Sequence, residues 1–307
     1  MTGFEVAGLG IATVDILTCV EKLPLPDEVF EAVSIEVQGG GPVSTALVTL
    51  ACLGTQTVFL GNIAKDRWGE IILDEFLHYG VSCEYCIMKE NGQSAISVIL
   101  VEQISGQRSI LYQNNRLPVY IPANLPSALI EEVRILHLDG SCLDAASRAA
   151  RRARDAGTKV SLDGGAGKYW KSSLDILPVV DILIVARRFA SQVTGYDDPY
   201  KAGLDLLKYK AEFVVITDGE RGCWYLDRQQ FFHQPAFLVQ VQDTTGAGDV
   251  FHGAYLYAYL HEWNASRCVR FASAAAAIKC TRVGGRKGIP GIEQVLSFLN
   301  QAEESQS

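Results

Sequence analysis

The sequence predicts an α/β protein: a mostly parallel central sheet with helices on both faces, plus a small accessory β-sheet. Three observations carry this. Short apolar runs bounded by Gly, Asp or Pro alternate with longer helical stretches along most of the chain, the pattern of successive βαβ units. Two segments, 29–37 and 94–112, instead alternate apolar and polar residues, as strands with one wet face do. No Pro-, Ser- or Gly-rich linker and no fixed-period repeat divides the 307 residues. A single domain over 1–301 is expected, with 302–307 as a frayed tail.

Taken in order, 4–11 reads as a strand, 43–53 as a helix and 57–60 as a strand ending at Gly61-Asn62. A helix over 68–79 stops at Gly80, a residue suited to the left-handed turn past a helix end. Further strands fall at 135–138, 159–162, 182–185 and 213–217, each near a helical segment. The two alternating segments predict antiparallel strands from about 27–38 and 94–113, the second turning at Ser105-Gly106. Together they make a flap or lid that closes over a ligand or forms a dimer contact.

Composition narrows the function classes. The chain is 48% apolar and 20% charged, a balance that buries a full core and excludes disorder. Lys plus Arg number 27 against 35 Asp plus Glu, a formal net charge of −8. The molecule therefore repels polyanions, which argues against nucleic acid or an acidic membrane surface as partner. Eight cysteines are scattered, and the one CxxC, Cys83 and Cys86, lacks a second pair or nearby His for zinc. Free thiols in a reducing compartment are expected. The opening residues lack the basic run and long apolar stretch of a signal peptide, and no window approaches the ~20 apolar residues of a membrane span. A soluble, cytoplasmic protein is expected.

The strongest chemical signal is Asp243-Thr244-Thr245-Gly246-Ala247-Gly248-Asp249, followed by an apolar helical run. A Gly-Ala-Gly turn lets backbone N–H groups approach an anion closely. Its position at a helix N-terminus adds free donors and the positive dipole end. A carboxylate such as Asp249 beside an anion hole formed by Gly246, Ala247 and Gly248 is what phosphoryl transfer to an alcohol needs. The plainer alternative is an Asp that only caps the helix. Gly39, Gly40 and Gly41 either let main chain touch a substrate or make a tight helix entry.

DTTGAGDVFHGAY resembles the C-terminal signature of the ribokinase-like, PfkB-type carbohydrate kinases. Gln38 to Ala46 with Leu53-Gly54 is similar to the family's N-terminal Gly-Gly motif, and Gly61 to Gly69 to its G-x-x-G-x-D-x-x-G segment. The likeness covers nearly the whole chain. Gln234-Pro235-Ala236-Phe237 and Cys280 to Arg286 most resemble the sulfofructose-kinase-like branch. The resemblance implies a ribokinase-like fold with a β-sheet lid, a homodimer through that lid, and ATP-dependent phosphorylation of a sugar hydroxyl with Mg2+.

The same resemblance assigns roles. It implies that Asp15 binds sugar hydroxyls, and that Ser44, standing where the family has Asn, contacts the sugar with shorter reach. Thr217 and Gly219 become ATP contacts, with Gly222 a contact or a turn former. The family's Asn-x-x-Glu for the magnesium shell falls on Ala186-Arg187-Arg188-Phe189. That leaves the metal to phosphates, water or carboxylates such as Asp163, and Arg187 to phosphate contact. Asp163 with Lys168 and Trp170 faintly resembles another family segment, in which Lys168 either neutralises phosphate charge or is merely solvated. Asp243 and Thr245 lie where potassium-dependent members place cation ligands, partly through backbone carbonyls; the alternative is that Asp243 simply caps the loop.

Rival readings are weaker. Gly8-Leu9-Gly10 lacks the third glycine of a dinucleotide site, and Gly167-Lys168 lacks the rest of a P-loop. His252, on an otherwise apolar helix, reads as a packed histidine. A nucleoside kinase would want base-stacking aromatics in the flap, which offers mainly aliphatics with Phe30 and Tyr112. A non-catalytic sugar or nucleotide sensor on the same fold and an anionic-sugar kinase remain as alternatives. The acceptor is expected to be neutral, because 24–38 carries Asp27, Glu28, Glu31 and Glu36 and no basic residue. Lys22, Arg108 and Arg116 flank the flap, and a partner subunit bringing in either arginine would reverse that expectation.

Overall fold

A computed structural model describes residues 3–104, 108–165 and 170–304. The chain runs through β1 (Val6–Leu9), β2 (Thr13–Val20), β3 (Ser34–Gly40), α1 (Pro42–Cys52), β4 (Thr57–Ala64) and α2 (Arg67–Tyr79). The short strands β5 (Val81–Ser82) and β6 (Cys86–Lys89) precede β7 (Ala95–Glu102) and β8 (Arg108–Gln113). Next come α3 (Ser127–Glu132), β9 (Ile135–Leu138), α4 (Leu143–Ala156), β10 (Lys159–Asp163), α5 (Trp170–Ser173) and β11 (Ile182–Ala186). Helices α6 (Arg187–Thr194) and α7 (Pro199–Leu206) lead to β12 (Phe213–Thr217), β13 (Cys223–Leu226) and β14 (Phe231–Gln234). The chain then finishes with α8 (Ala247–Leu260), α9 (Ala265–Cys280) and α10 (Ile292–Glu304).

The main sheet is ordered β14-β13-β12-β11-β10-β9-β1-β4-β5, with β6 beside β4. It is parallel except for β13 and β14. Alternation along each strand feeds two cores. In β11, Ile182 and Ile184 belong to the core shared with α1, α2, α8, α9 and α10, while Leu183 and Val185 belong to the core shared with α3, α4, α6 and α7. Helix α8 is apolar nearly all round and buried nearly all round, as a helix wedged between α1 and α9 must be. The expected two-faced α/β body is present. Asp66 caps α2 by accepting from Gly69 N at 2.7 Å, and Gly80 closes it at φ 79°.

The lid is a second sheet ordered β3-β2-β7-β8, and it corrects the sequence expectation in three ways. First, β2 was not foreseen. Residues 13–20 follow the first strand with little polar interruption, which hides the break at Gly10 to Ala12. Second, the expected strands do pair antiparallel, β3 with β2 and β7 with β8, but the sheet is mixed: β2 and β7 pair in parallel, because the chain passes through the body between them. Third, the first flap strand starts at Ser34; Val29 is fully exposed outside it. The turn expected at Ser105-Gly106 lies outside the described residues. At the other end α10 continues through Glu304, so 302–304, expected to fray, are helical. Among the described residues no helix is long and apolar enough to cross a membrane.

Candidate active site

Parallel strands leave their C-terminal ends on one side of the sheet, and the lid stands over that edge. Between them lies a cavity of about 500 Å3, in the crevice where open α/β sheets bind ligands. Asp15 reaches it from β2, Asp139 from the turn after β9, Asp163 from the end of β10 and Thr217 from the end of β12. Asp249 enters from the first turn of α8 and Arg108 from β8. The cavity wall thus holds four carboxylates and, among the described residues, one guanidinium.

The loop before α8 bends sharply at Gly246, the N-cap, with φ 74°. A Cβ there would stand 2.9 Å from the Gly285 carbonyl, whereas Gly248 opens onto free space. Gly246 and Gly248 line the cavity. Ala247 does not, and its N–H bends back to the Thr244 carbonyl at 3.2 Å. The expected three-residue anion hole therefore has Ala247 spent on closing its own turn. Asp249 has its carboxyl pushed up to about 7 by burial and by Asp163, with Asp15 adding and His252 and Arg108 opposing. Arg108 also donates to the Thr244 hydroxyl, which joins the lid to this loop within one chain.

On the lid side, Asp15 is buried and accepts from Thr13 Oγ1 at 2.9 Å. Burial raises its carboxyl, against the hydrogen bonds of Thr13 and Ser97. Asp15, Ser97 and Tyr112 sit opposite one another on β2, β7 and β8, and all three line the cavity. Gly41, at φ 99°, lines it too, and a Cβ there would press on the Ile11 carbonyl at 2.4 Å. Gly40 packs against Asp15, and Gly39 under Arg286.

Ser44 points away from the cavity. Its hydroxyl donates to the carbonyls of Gly40 and Gly41 and accepts from Arg286 Nη2 at 2.8 Å. The expected sugar contact is thus replaced by a brace. Arg286 is fully buried, and it also bonds Glu75 Oε2 at 2.7 Å and the Gly40 carbonyl at 3.1 Å.

On the nucleotide side only Thr217, of the four residues expected there, lines the cavity. Gly219 begins a short 3-10 turn. Gly222, at φ 85°, allows β13 to start, because a Cβ would meet the Gln234 carbonyl at 2.1 Å. Arg187 is held by Asp218 at 2.7 Å and by the Asp197 carbonyl at 3.0 Å. Phe189 fills the core where the resemblance places Glu. Lys168 lies outside the described residues.

Beneath the cavity, Asp163 accepts from Gly165 N at 2.6 Å and faces His252 Nε2 at 3.4 Å. Burial raises the Asp163 carboxyl, but His252, joined by His137 and the Gly165 amide, outweighs it and leaves it below the usual range. His137 lies against His252, with ring centroids 5.5 Å apart and the planes tilted by 40°, and burial lowers its ring to about 3. Nearby, Asp243 is wholly buried. Its Oδ1 accepts from Thr245 N at 2.8 Å and Thr245 Oγ1 at 2.7 Å, its Oδ2 from Gly284 N at 2.8 Å, and its carbonyl from Lys279 Nζ at 2.8 Å.

A model of the pfkB family of carbohydrate kinases matches residues 4–291. The chain belongs to that family. It is 25% identical to fructokinase-2 of Oryza sativa subsp. japonica, over 87% of this chain and 86% of that protein. It is 26% identical to the ribokinase of Haemophilus influenzae, over 96% and 98%. The Arabidopsis thaliana ribokinase complexed with ribose and ATP has the same fold, with a TM-score of 0.82 at 24% identity over 97% of this chain and 99% of that one.

In this carbohydrate kinase the fold gathers Asp15, Gly41, Thr217, Thr245, Gly246, Gly248 and Asp249 around one cavity. Gly39, Gly40, Ser44, Ala247, Arg187, Gly219, Gly222 and Asp243 do not line it. Three residues were missed as parts of the site. His252 was read only as packed, although its position three residues after Asp249 puts both on one helix face. Arg286 lay inside a motif without a role of its own. Lys279 carried no signal, being one of three cations in an Ala-rich helix.

Proposed function

We propose that this kinase transfers the γ-phosphoryl group of ATP to a hydroxyl of a small neutral sugar or polyol. The observation that carries the reading is Asp249 at the start of α8, flanked by Gly246 and Gly248 on the cavity wall. Asp249 accepts the hydroxyl proton, while the loop amides and the dipole of α8 hold charge on the transferring phosphoryl. Asp15 accepts hydrogen bonds from sugar hydroxyls, and Gly41 offers main chain beside it. Thr217 meets the nucleotide, with Gly219 and Gly222 shaping its loop and Arg187 holding Asp218 in place. Relatives named fructokinase and ribokinase support a sugar acceptor.

Magnesium would arrive with ATP. It keeps several waters and takes phosphates plus one or two carboxylates, a donor set that Asp163 at the cavity wall fits. Asp163 would hold that hydrated ion from the end of β10, and the ion would supply charge balance to the phosphates.

Four cavity carboxylates against one guanidinium favour a neutral acceptor. The likeness to the sulfofructose-kinase branch rests on segments 234–237 and 280–286, which lie outside the cavity wall and so report on the scaffold. An anionic acceptor is the second reading, and Arg108 is the observation that favours it. We further read 1–301 as one domain in a cytoplasmic homodimer joined at the lids. Val37, Ile16, Val98 and Leu111 stand in register across the lid's outer face, and Leu111 is 64% exposed.

The test is ATP consumption across neutral sugars, polyols, ketose phosphates, sulfosugars and nucleosides, with wild type and Asp249→Asn compared. Turnover with a neutral sugar that disappears in Asp249→Asn supports the reading. A protein that binds sugar or ATP without turning either over is a sensor, and the reading fails.

A further inference from the structure

The Asp243 oxygens expected to hold potassium, and the Thr245 hydroxyl, are already engaged in hydrogen bonds. Each carboxylate oxygen of Asp243 accepts backbone or hydroxyl protons from Thr245 and Gly284, and its carbonyl accepts from Lys279 Nζ at 2.8 Å. A monovalent cation bound by Asp243 and Thr245 would need these same atoms, and an ammonium at the carbonyl repels it. The residues present therefore do not fit potassium.

Lys279 itself demands an explanation. It sits in the last turn of α9 with no exposed surface, and lysine is almost never fully buried unless paired. Burying an ammonium is costly without compensating charge. Burial holds the ammonium below its usual pKa and Arg108 adds to that; the opposing charge comes chiefly from Asp243, and also from Cys280 and Asp249, so the two carboxylates that bracket the anion-binding loop both favour the charged form. We propose that the Lys279 ammonium takes the place of a bound monovalent cation beneath this loop, making the kinase independent of potassium. Lys279 is a positioning residue: it pins the Asp243 carbonyl, and Asp243 in turn ties Thr245 to Gly284. That holds Gly246 and Gly248 facing the cavity. The inference rests on reading 243–249 as the phosphoryl-binding loop.

The experiment compares potassium, ammonium, sodium and tetramethylammonium chlorides at matched ionic strength, reading both turnover and thermal melting. For wild type, kcat/KM should differ by less than about twofold between potassium and tetramethylammonium, and the melting temperature should be the same. Lys279→Met should lose at least about tenfold in kcat/KM without potassium. Potassium or ammonium should restore part of that loss and raise the variant's melting temperature, while tetramethylammonium does neither.

Potassium stimulation of wild type, in rate or in melting, overturns the proposal. So does a Lys279→Met enzyme that keeps its rate without cations, or one that loses it and responds to none. If the variant does not fold, the wild-type comparison decides. Melting needs no turnover, so a protein inactive in every salt refutes the reading of the loop and leaves the cation question to the melting curves.

Discussion

The carboxylate of Asp15 lies directly against the Cα of Gly40: a Cβ on residue 40 would come within 2.1 Å of Asp15 Oδ2 and 2.4 Å of its Cγ. Glycine at 40 is therefore what lets a lid carboxylate seat itself over the loop that enters α1. Asp15→Ala removes a charged hydrogen-bonding group, worth about 1.5–3 kcal/mol, or roughly 10- to 150-fold in kcat/KM for the sugar. Gly40→Ala should lower the same quantity by displacing Asp15, with KM for ATP little changed in both. Steady-state kinetics with each substrate varied in turn check this. Sugar kinetics unchanged in both variants would take Asp15 out of the acceptor site.

Asp249 sets the pH dependence. A base must be ionised, and its carboxyl is raised to about 7 by burial and Asp163. Then kcat/KM should climb as pH rises through about 7 and fall away below it. Asp249→Ala should cost about 10²–10⁴ in kcat. Stability runs the other way. A folded pKa above the unfolded one gives stability that is whole below the unfolded value and lost as pH rises through the folded value. Asp249→Asn should therefore melt higher than wild type at pH 8 while turning over no substrate. A rate flat from pH 5 to 9 would remove Asp249 from the base role.

What was legible followed from local information. The anion-binding turn and Asp249 lie within seven consecutive residues, and the two-faced sheet shows in apolar runs such as 182–185. What was illegible depends on distant partners. The Ser44 hydroxyl is turned from the cavity by Arg286, 242 residues along the chain. Arg187 looks free for phosphate until Asp218, 31 residues on, takes its guanidinium. Strand β2 was hidden for a local reason: residues 13–20 follow β1 with little polar interruption, so the break at Gly10 to Ala12 does not show.

Arg286 is a stability prediction. Its guanidinium is fully buried and bonds Glu75, Ser44 and the Gly40 carbonyl. Removing one partner of a buried pair typically costs 3–5 kcal/mol, and Glu75 keeps a 22% exposed side chain that softens the loss. Arg286→Ala should be destabilised by about 3 kcal/mol, measured by urea unfolding. A loss under about 1 kcal/mol, the scale of a surface pair, would show that solvent takes over the role of the guanidinium.

Arg108 decides the acceptor. It reaches from β8 of the same chain to the Thr244 hydroxyl, and its charge bears on Asp249, so no partner subunit is needed to deliver it. If it serves the phosphoryl side, neutral ketoses are preferred, and Arg108→Met lowers kcat for them by about tenfold or more. Because Arg108 holds the Asp249 carboxyl down, its loss should also move the acid limb of the rate profile to higher pH. If instead it grips an anionic acceptor, wild type will prefer ketoses carrying a 6-phosphate or 6-sulfonate by more than about tenfold, about 1.4 kcal/mol. Arg108→Met would then erase that preference by raising KM for the anionic sugar alone. Measuring kcat/KM for matched neutral and 6-anionic ketoses in both proteins separates the two, and the second pattern would overturn the neutral acceptor.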